Sequence, residues 1–183
     1  MMQGFSYVGH GGTYVLLSIV RGDITFNDPE FHKRETSLLG SRNATQQGVA
    51  NAEAFAGALA RGGLTIVSGL ALGIDAAAHR GALDAYSDAG TIAVVGTGVD
   101  IVYPASNRVL TQRIRDYGLV ISEFPLRTPA IAHNFPRRNR IIAGLARGVL
   151  VVEAALRSGS LITARLAADA GRDVFAIPGS IHS

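Results

Sequence analysis

The chain has 183 residues, 48% of them hydrophobic, with 17 Lys plus Arg against 14 Asp plus Glu and a formal net charge of +3; that length and apolar content predict one domain with a sizeable core. Cysteine is absent, which excludes disulfides, thiolate metal sites and cysteine nucleophiles. No apolar run is long enough to cross a bilayer and no basic-apolar leader opens the chain, so cytoplasmic residence is the simplest expectation.

Taken in order, the chain alternates apolar strands with amphipathic helices. The first apolar run is Tyr14 to Val20, followed by a polar loop holding Asp28-Pro29. Thr36 to Leu39 is a short strand ending in Gly40-Ser41-Arg42. Gln46 to Arg61 reads as a helix with Val49, Ala52, Ala56 and Leu59 on one face, stopped by Gly62-Gly63. Leu64 to Val67 is a strand ending at Ser68-Gly69, Asp75 to Ala85 a helix, and Thr91 to Val95 a strand ending in Gly96-Thr97-Gly98. A helix over Ser106 to Tyr117 follows Tyr103-Pro104, then a strand over Leu119 to Ser122. A helix-like run covers Ile141 to Ala146 and a strand covers Val149 to Val152, with Glu153 at its end. Ser158-Gly159-Ser160 opens a helix over Leu161 to Ala170, and Val174 to Ile177 is the last strand.

This alternation predicts an α/β fold, an extended Rossmann-like and mostly parallel sheet with helices on both faces. Ligands of such sheets bind beyond the carboxyl ends of the strands. Gly40-Ser41-Arg42, Ser68-Gly69, Gly96-Thr97-Gly98, Glu123 and Glu153 would all fall on that rim. Their glycines and hydroxyls either let backbone N–H groups approach an anion or simply end the strands.

The stretch from His133 to Ala164 concentrates the charge. Between Arg127 and Arg165 there are seven arginines and one acid, whereas the rest of the chain is near neutral. Lys33 is the single lysine in the chain; arginine suits bidentate phosphate recognition and stacking, although codon bias is the simpler reading for most of the arginines. Arg137, Arg138 and Arg140 sit just before the helix-like run, where positive charge opposes the helix dipole unless an anion is near. Phe135 beside them adds a stacking face, the combination that single-stranded nucleic acid takes. Arg140 lies three positions after Arg137 and shares its face, whereas Arg138 points elsewhere.

Other motifs are weaker. No Gly-x-Gly-x-x-Gly follows a strand, and no Walker-type loop with a lysine is present. His79 lies four residues after Asp75, so a capping or orienting contact between them is expected. His10, His32 and His182 lack metal-ligand spacing. Glu153 is either a base, a partner for ribose hydroxyls, or an acceptor that holds the Arg157–Ser160 loop; the last is favoured.

From about Gly40 to Ile181 the chain resembles the DNA-processing protein A (DprA/Smf) family. The resemblance is carried by Gly40-Ser41-Arg42, SGLALGIDAAAHRGAL (Ser68 to Leu83) and GTGVDIVYPASN (Gly96 to Asn107). It continues in SEFP (Ser122 to Pro125), FPRRNRIIAGLARGVLVVEA (Phe135 to Ala154) and SGSLITARLAADAGRDVFAIPGSI (Ser158 to Ile181). It implies single-stranded DNA binding and loading of a RecA-type recombinase in natural transformation and recombination, a homodimer, and neither catalysis, cofactor nor metal. The DNA-binding residues it nominates, together with the rim, are Ser41, Arg42, Ser68, Gly69, Phe135, Arg137, Arg138, Arg140, Ser158 and Ser160. Asp75, His79 and Glu153 are expected to support them. Where the family often has arginine this chain has Leu72, which implies weaker binding.

Residues 1 to about 45 are instead similar to the late part of the cofactor domain of zinc-type, medium-chain alcohol dehydrogenases. GGTYVLLSI and ETSLLGS would be neighbouring strands there. The two resemblances overlap at GSRNAT, Gly40 to Thr45, which implies a join at a strand that both parents share. The expected organisation is one Rossmann-like domain over 1–183, with dehydrogenase-like strands in 1–39 and a C-terminally truncated DprA-like core in 40–183. Two competing readings remain: a nucleotide phosphoribohydrolase-like enzyme using Glu153 and Ser158–Thr163, and a hybrid without function of its own.

Overall fold

A computed structural model describes residues 35–88, 90–154 and 159–177. Its strands are β1 (Glu35–Gly40), β2 (Thr65–Ser68), β3 (Thr91–Val94), β4 (Leu119–Ile121), β5 (Gly148–Glu153) and β6 (Asp173–Ala176). They form one sheet in the order β4-β3-β2-β1-β5-β6, with every neighbouring pair parallel. The helices are α1 (Gln46–Arg61), α2 (Ile74–Leu83), α3 (Arg108–Tyr117), α4 (Asn134–Leu145) and α5 (Gly159–Asp169). A single 3-10 turn, Ala105–Asn107, leads into α3. The expected Rossmann-like α/β fold is the observed one. The apolar run Tyr14 to Val20 lies outside the described residues.

The strands alternate with period two, and successive apolar residues feed opposite faces. Leu39, Val67, Ile92, Val94, Ile121, Val149 and Val151 pack under α4 and α5. Leu38, Ile66 and Val152 pack under α1 and α2, and Ala93 and Val120 under α2 and α3. Burying each such side chain stabilises by about 1.5–3 kcal/mol. The small residues Ala52, Ala56, Ala77 and Ala78 let α1 and α2 pack closely over Leu38, Ile66 and Val152.

Several element ends differ from the sequence reading, and two of the differences matter for the rim. Helix α4 begins at Asn134, not Ile141, so Arg137, Arg138 and Arg140 lie within its first two turns. Their polarity hid the helix, because only one of the three buries its head group. Helix α5 begins at Gly159, two residues before the expected start.

The strand order reverses between β1 and β5, the place where open parallel sheets hold ligands. There Gly40 is in register with Glu153 across a bulge, and Ser41 N–H donates to the Glu153 carbonyl at 2.7 Å. Gly40 is required at this crossing: a Cβ would overlap the Ile74 side chain and come within 2.7 Å of the Glu153 carbonyl oxygen.

Candidate nucleic-acid interface

The rim is assembled by α4, which runs its first two turns over the carboxyl ends of the central strands. Arg138 anchors it. Its side chain is buried, 4% exposed, and its Nη1 donates to the Gly69 carbonyl at 2.6 Å and to the Val94 carbonyl, while Nε donates to Asn139 Oδ1. The guanidinium thus ties the ends of β2 and β3 to α4. A Cβ at Gly69 would occupy the place of that guanidinium. Leu70, next along, has φ +59°, an unusual conformation for a branched side chain; its carbonyl accepts from Asn107 Nδ2 at 3.0 Å.

Burial lowers the Arg138 pKa to about 10; the nearby Asp75 charge opposes that shift and Arg42 adds to it. Burial pushes the Asp75 carboxyl up, while Arg138, the Ala71 and Gly69 backbone and Ser68 pull it down. Asp75 and Arg138 are therefore buried opposite charges that partly compensate each other. The expected contact between Asp75 and His79 is replaced by others. Asp75 accepts from Ala71 N–H at 3.3 Å, and His79 Nδ1 lies 2.7 Å from Thr91 Oγ1. Thr91 Oγ1 donates to the Ile66 carbonyl at 2.7 Å, so its lone pair accepts the proton of His79 Nδ1. Nε2 of the ring is buried without a hydrogen-bond partner. Burial first, then Arg138 and Arg80, lower the His79 pKa to about 3.

The exposed layer lies above this internal strut. Arg137 and Arg140 share one helix face, with side chains 60% and 46% exposed, and both point their Nη2 at Glu123 Oε2, Arg137 from 3.8 Å. Arg137 also sits over the Phe124 ring, 5.5 Å from its centroid. Phe135 rests against Gly96, where a Cβ would come within 2.8 Å of the ring. The Arg42 guanidinium lies 6.0 Å from the Phe135 centroid, and the Tyr103 ring packs 5.3 Å away at 37°. Arg42 is exposed and Phe135 half-buried.

The residues singled out from sequence therefore divide. Two groupings form at the surface: Arg42 beside Phe135, and Arg137 with Arg140 at Glu123. Ser41 is next to Arg42, its Oγ accepting from Asn43 N–H and its carbonyl from Ile74 N–H. The latter bond needs Gly73, with φ +72°, because a Cβ there would overlap the Ser41 carbonyl oxygen. Arg138, Ser68 and Gly69 are interior: Ser68 is 0% exposed and donates to the Leu38 carbonyl at 2.7 Å. Ser160 is buried as well, and Ser158 lies outside the described residues.

Glu153 is held by Thr45; residues 155–158 of the loop expected as its partner lie outside the described residues. Thr45 Oγ1 donates to its Oε2 at 2.6 Å, and Thr45 N–H lies 3.2 Å from both carboxylate oxygens. The same hydroxyl accepts from Gly48 N–H and caps α1. The carboxylate thus fixes the turn carrying Ser41 and Arg42. Sequence reasoning placed Glu123 on the rim but missed its role as the counter-charge of two arginines. Their spacing of three, pointing at one strand end, was the available signal. It missed Tyr103 and Asn107 because their partners are distant in sequence.

No group of three or more His, Asp or Glu that could hold a metal occurs among the described residues, and no helix among them is long and apolar enough to cross a membrane.

An all-parallel sheet whose order reverses between β1 and β5, with its rim on the carboxyl ends, defines a Rossmann-like α/β protein. More narrowly, the chain belongs to the DNA recombination-mediator protein A family, whose sequence profile it matches over residues 14–183. That match begins well before Gly40, where the resemblance to the family had been placed. The chain is 49% identical over 151 residues to Protein Smf of Escherichia coli, 82% of this chain and 40% of that protein. The solved DNA processing protein A of Streptococcus pneumoniae is similar at 48% identity and a TM-score of 0.77, over 83% of this chain and 53% of that one. A Helicobacter pylori DNA processing protein A, solved for its single-stranded DNA binding mode, is similar at 31% identity and a TM-score of 0.77, over 84% of this chain and 70% of that one. The chain spans between two fifths and about half the length of these first curated relatives. A further stretch of 47 residues, 26% of the chain, is 51% identical to 14% of the L-galactonate-5-dehydrogenase of Escherichia coli. That is in keeping with the dehydrogenase resemblance of the first 45 residues.

Proposed function

We propose that the rim formed by Arg42, Phe135, Arg137 and Arg140 binds single-stranded DNA, and that the protein delivers the bound strand to a RecA-type recombinase in the cytoplasm during natural transformation and recombination. Residues 1–183 act in this reading as one Rossmann-like domain built on the 40–183 core, with Ser41 beside the bound DNA and a homodimer as the working form. The observation that carries it is the pairing of exposed guanidinium groups with aromatic rings, Arg42 with Phe135 and Arg137 with Phe124. Phosphates pair with the forks while bases stack. Ser68, Gly69, Arg138 and Ser160 act from beneath, by holding the rim in place. A hydrolase would need a strand-end carboxylate available as a base, and the Glu153 carboxylate is taken up by Thr45, so the binding reading is preferred.

The test is fluorescence anisotropy of a labelled single-stranded oligonucleotide at several salt concentrations, with duplex as competitor. Binding should favour the single strand and fall steeply with salt, because each neutralised phosphate releases counterions. The Arg137→Ala/Arg140→Ala protein should bind more weakly, with a shallower slope. A folded wild-type protein that ignores the oligonucleotide would refute the proposal. RecA delivery is tested separately, by the rate at which a RecA-type recombinase assembles on strand already coated with single-strand binding protein.

A further inference from the structure

We propose that Tyr103 is a second base-stacking ring, placed beside Phe135 so that neighbouring unpaired bases are read by two aromatic faces; this rests on the single-stranded DNA reading above. Tyr103 is 48% exposed although it packs on Phe135. A ring placed only to cover Phe135 would gain more by burying the rest of its area. The two centroids are 5.3 Å apart, within direct ring contact of about 4.5–7 Å, so no base fits between them. Each ring therefore offers a separate outward face. The 37° tilt turns those faces away from one another, which suits a strand splayed over the rim and not a continuous helical stack.

The loop carrying Tyr103 is fixed before any ligand arrives. Thr97 Oγ1 donates to the Ile101 carbonyl at 3.0 Å, Ile101 N–H to the Gly98 carbonyl at 2.9 Å and Asn107 N–H to the Pro104 carbonyl at 3.0 Å. Asn107 Nδ2 then binds this segment to the Leu70 carbonyl at 3.0 Å. A preset ring loses little conformational freedom when a base stacks on it, so more of the stacking energy appears as affinity. The Arg42 guanidinium, 6.0 Å from the Phe135 centroid, supplies a cation for the adjoining phosphate. Duplex DNA keeps its base faces stacked inside, so the rings discriminate against it.

The experiment compares a labelled oligothymidylate of about fifteen nucleotides with an abasic strand of equal length, a span suited to one such groove. Wild-type protein should bind the oligothymidylate more tightly. Tyr103→Ala should weaken that binding by about fivefold to a hundredfold, the range for loss of one stacked base, and leave both abasic binding and the salt slope unchanged. Tyr103→Phe should bind as wild type. Equal loss on both strands, or no loss on either, overturns the proposal. If Tyr103→Ala does not fold, Tyr103→Leu, which keeps apolar contact with Phe135, decides by the same two outcomes. Arginine-dependent, salt-sensitive binding that is indifferent to Tyr103 sinks the ring alone. Wild-type protein that binds neither strand overturns both the ring and the function on which it rests.

Discussion

Gly69 is bare because Arg138 occupies the space beside it: the guanidinium donates to the Gly69 carbonyl and fills the position a Cβ would take. With the Val94 carbonyl also bound to Arg138 and Asp75 opposing its charge, this arginine is the strut on which the rim stands. Arg138→Met should destabilise by about 3–5 kcal/mol, the range for breaking one side of a buried charge pair. Arg138→Lys should recover only part, because an ammonium lacks the planar fork that spans two carbonyls. Urea unfolding measures both, and a methionine variant as stable as wild type would remove the strut from the account.

His79 predicts a pH dependence of stability. Its native pKa is lowered from 6.5 to about 3, so the unfolded chain binds a proton there at a pH where the native protein does not. The resulting stability is fully present above the unfolded pKa and is lost as pH falls from about 6.5 towards 3, with a slope of up to about 1.4 kcal/mol per pH unit. His79→Gln should flatten this portion of the stability-against-pH curve. An unchanged slope in the variant would assign the acid sensitivity elsewhere.

Glu153 and Thr45 should behave as one unit. Thr45 Oγ1 donates to Glu153 and accepts from Gly48, so Thr45→Ala removes a helix cap as well as a partner, at a cost of about 1–2 kcal/mol. Glu153→Ala and Thr45→Ala should be non-additive in a double-mutant cycle, with a coupling above about 0.5 kcal/mol. Strict additivity would mean that the carboxylate does not hold the Ser41–Arg42 turn.

In the proposed DNA-binding reading, Glu123 should compete with phosphate for Arg137 and Arg140. Its Oε1 is buried without a hydrogen-bond partner, and its Oε2 faces both arginines. Glu123→Gln should leave those guanidinium groups with more positive potential and tighten oligonucleotide binding by a few-fold at low salt, the gain shrinking as salt screens it. Weaker binding by the variant would mean that Glu123 positions the arginines and does not compete for them.

Gly96→Ala tests the seat of Phe135. A Cβ at 2.8 Å from the ring forces the ring or the loop to move. Oligonucleotide affinity should fall with little change in the salt slope, since no phosphate contact is removed. An affinity equal to wild type would separate Phe135 from the binding surface.

The local chain was enough to specify most of the elements. Alternation of apolar residues in pairs such as Leu38-Leu39, Ile66-Val67 and Val151-Val152 marks strands buried on both faces, because successive side chains must point opposite ways. Gln46–Arg61 was readable to the residue from its apolar face and the Gly62-Gly63 that ends it; the structure adds Thr45 as its cap. The start of α4 was not. Hydrophobic periodicity begins at Ile141, whereas the first two turns are stabilised by Arg138 reaching carbonyls on two other strands.

At the rim, the sequence by itself determined which residue types gather: the spacing of Arg137 and Arg140 assigns them one face, and Phe135 lies beside them. Only the tertiary structure decided which of the three arginines is a strut and which two face outward. It also decided that Glu153 belongs to Thr45, that His79 belongs to Thr91, and that Tyr103 meets Phe135. The physical reason is that periodicity reports the direction of a side chain about its own axis, whereas a hydrogen bond or ring contact depends on which distant segment the strand order brings alongside.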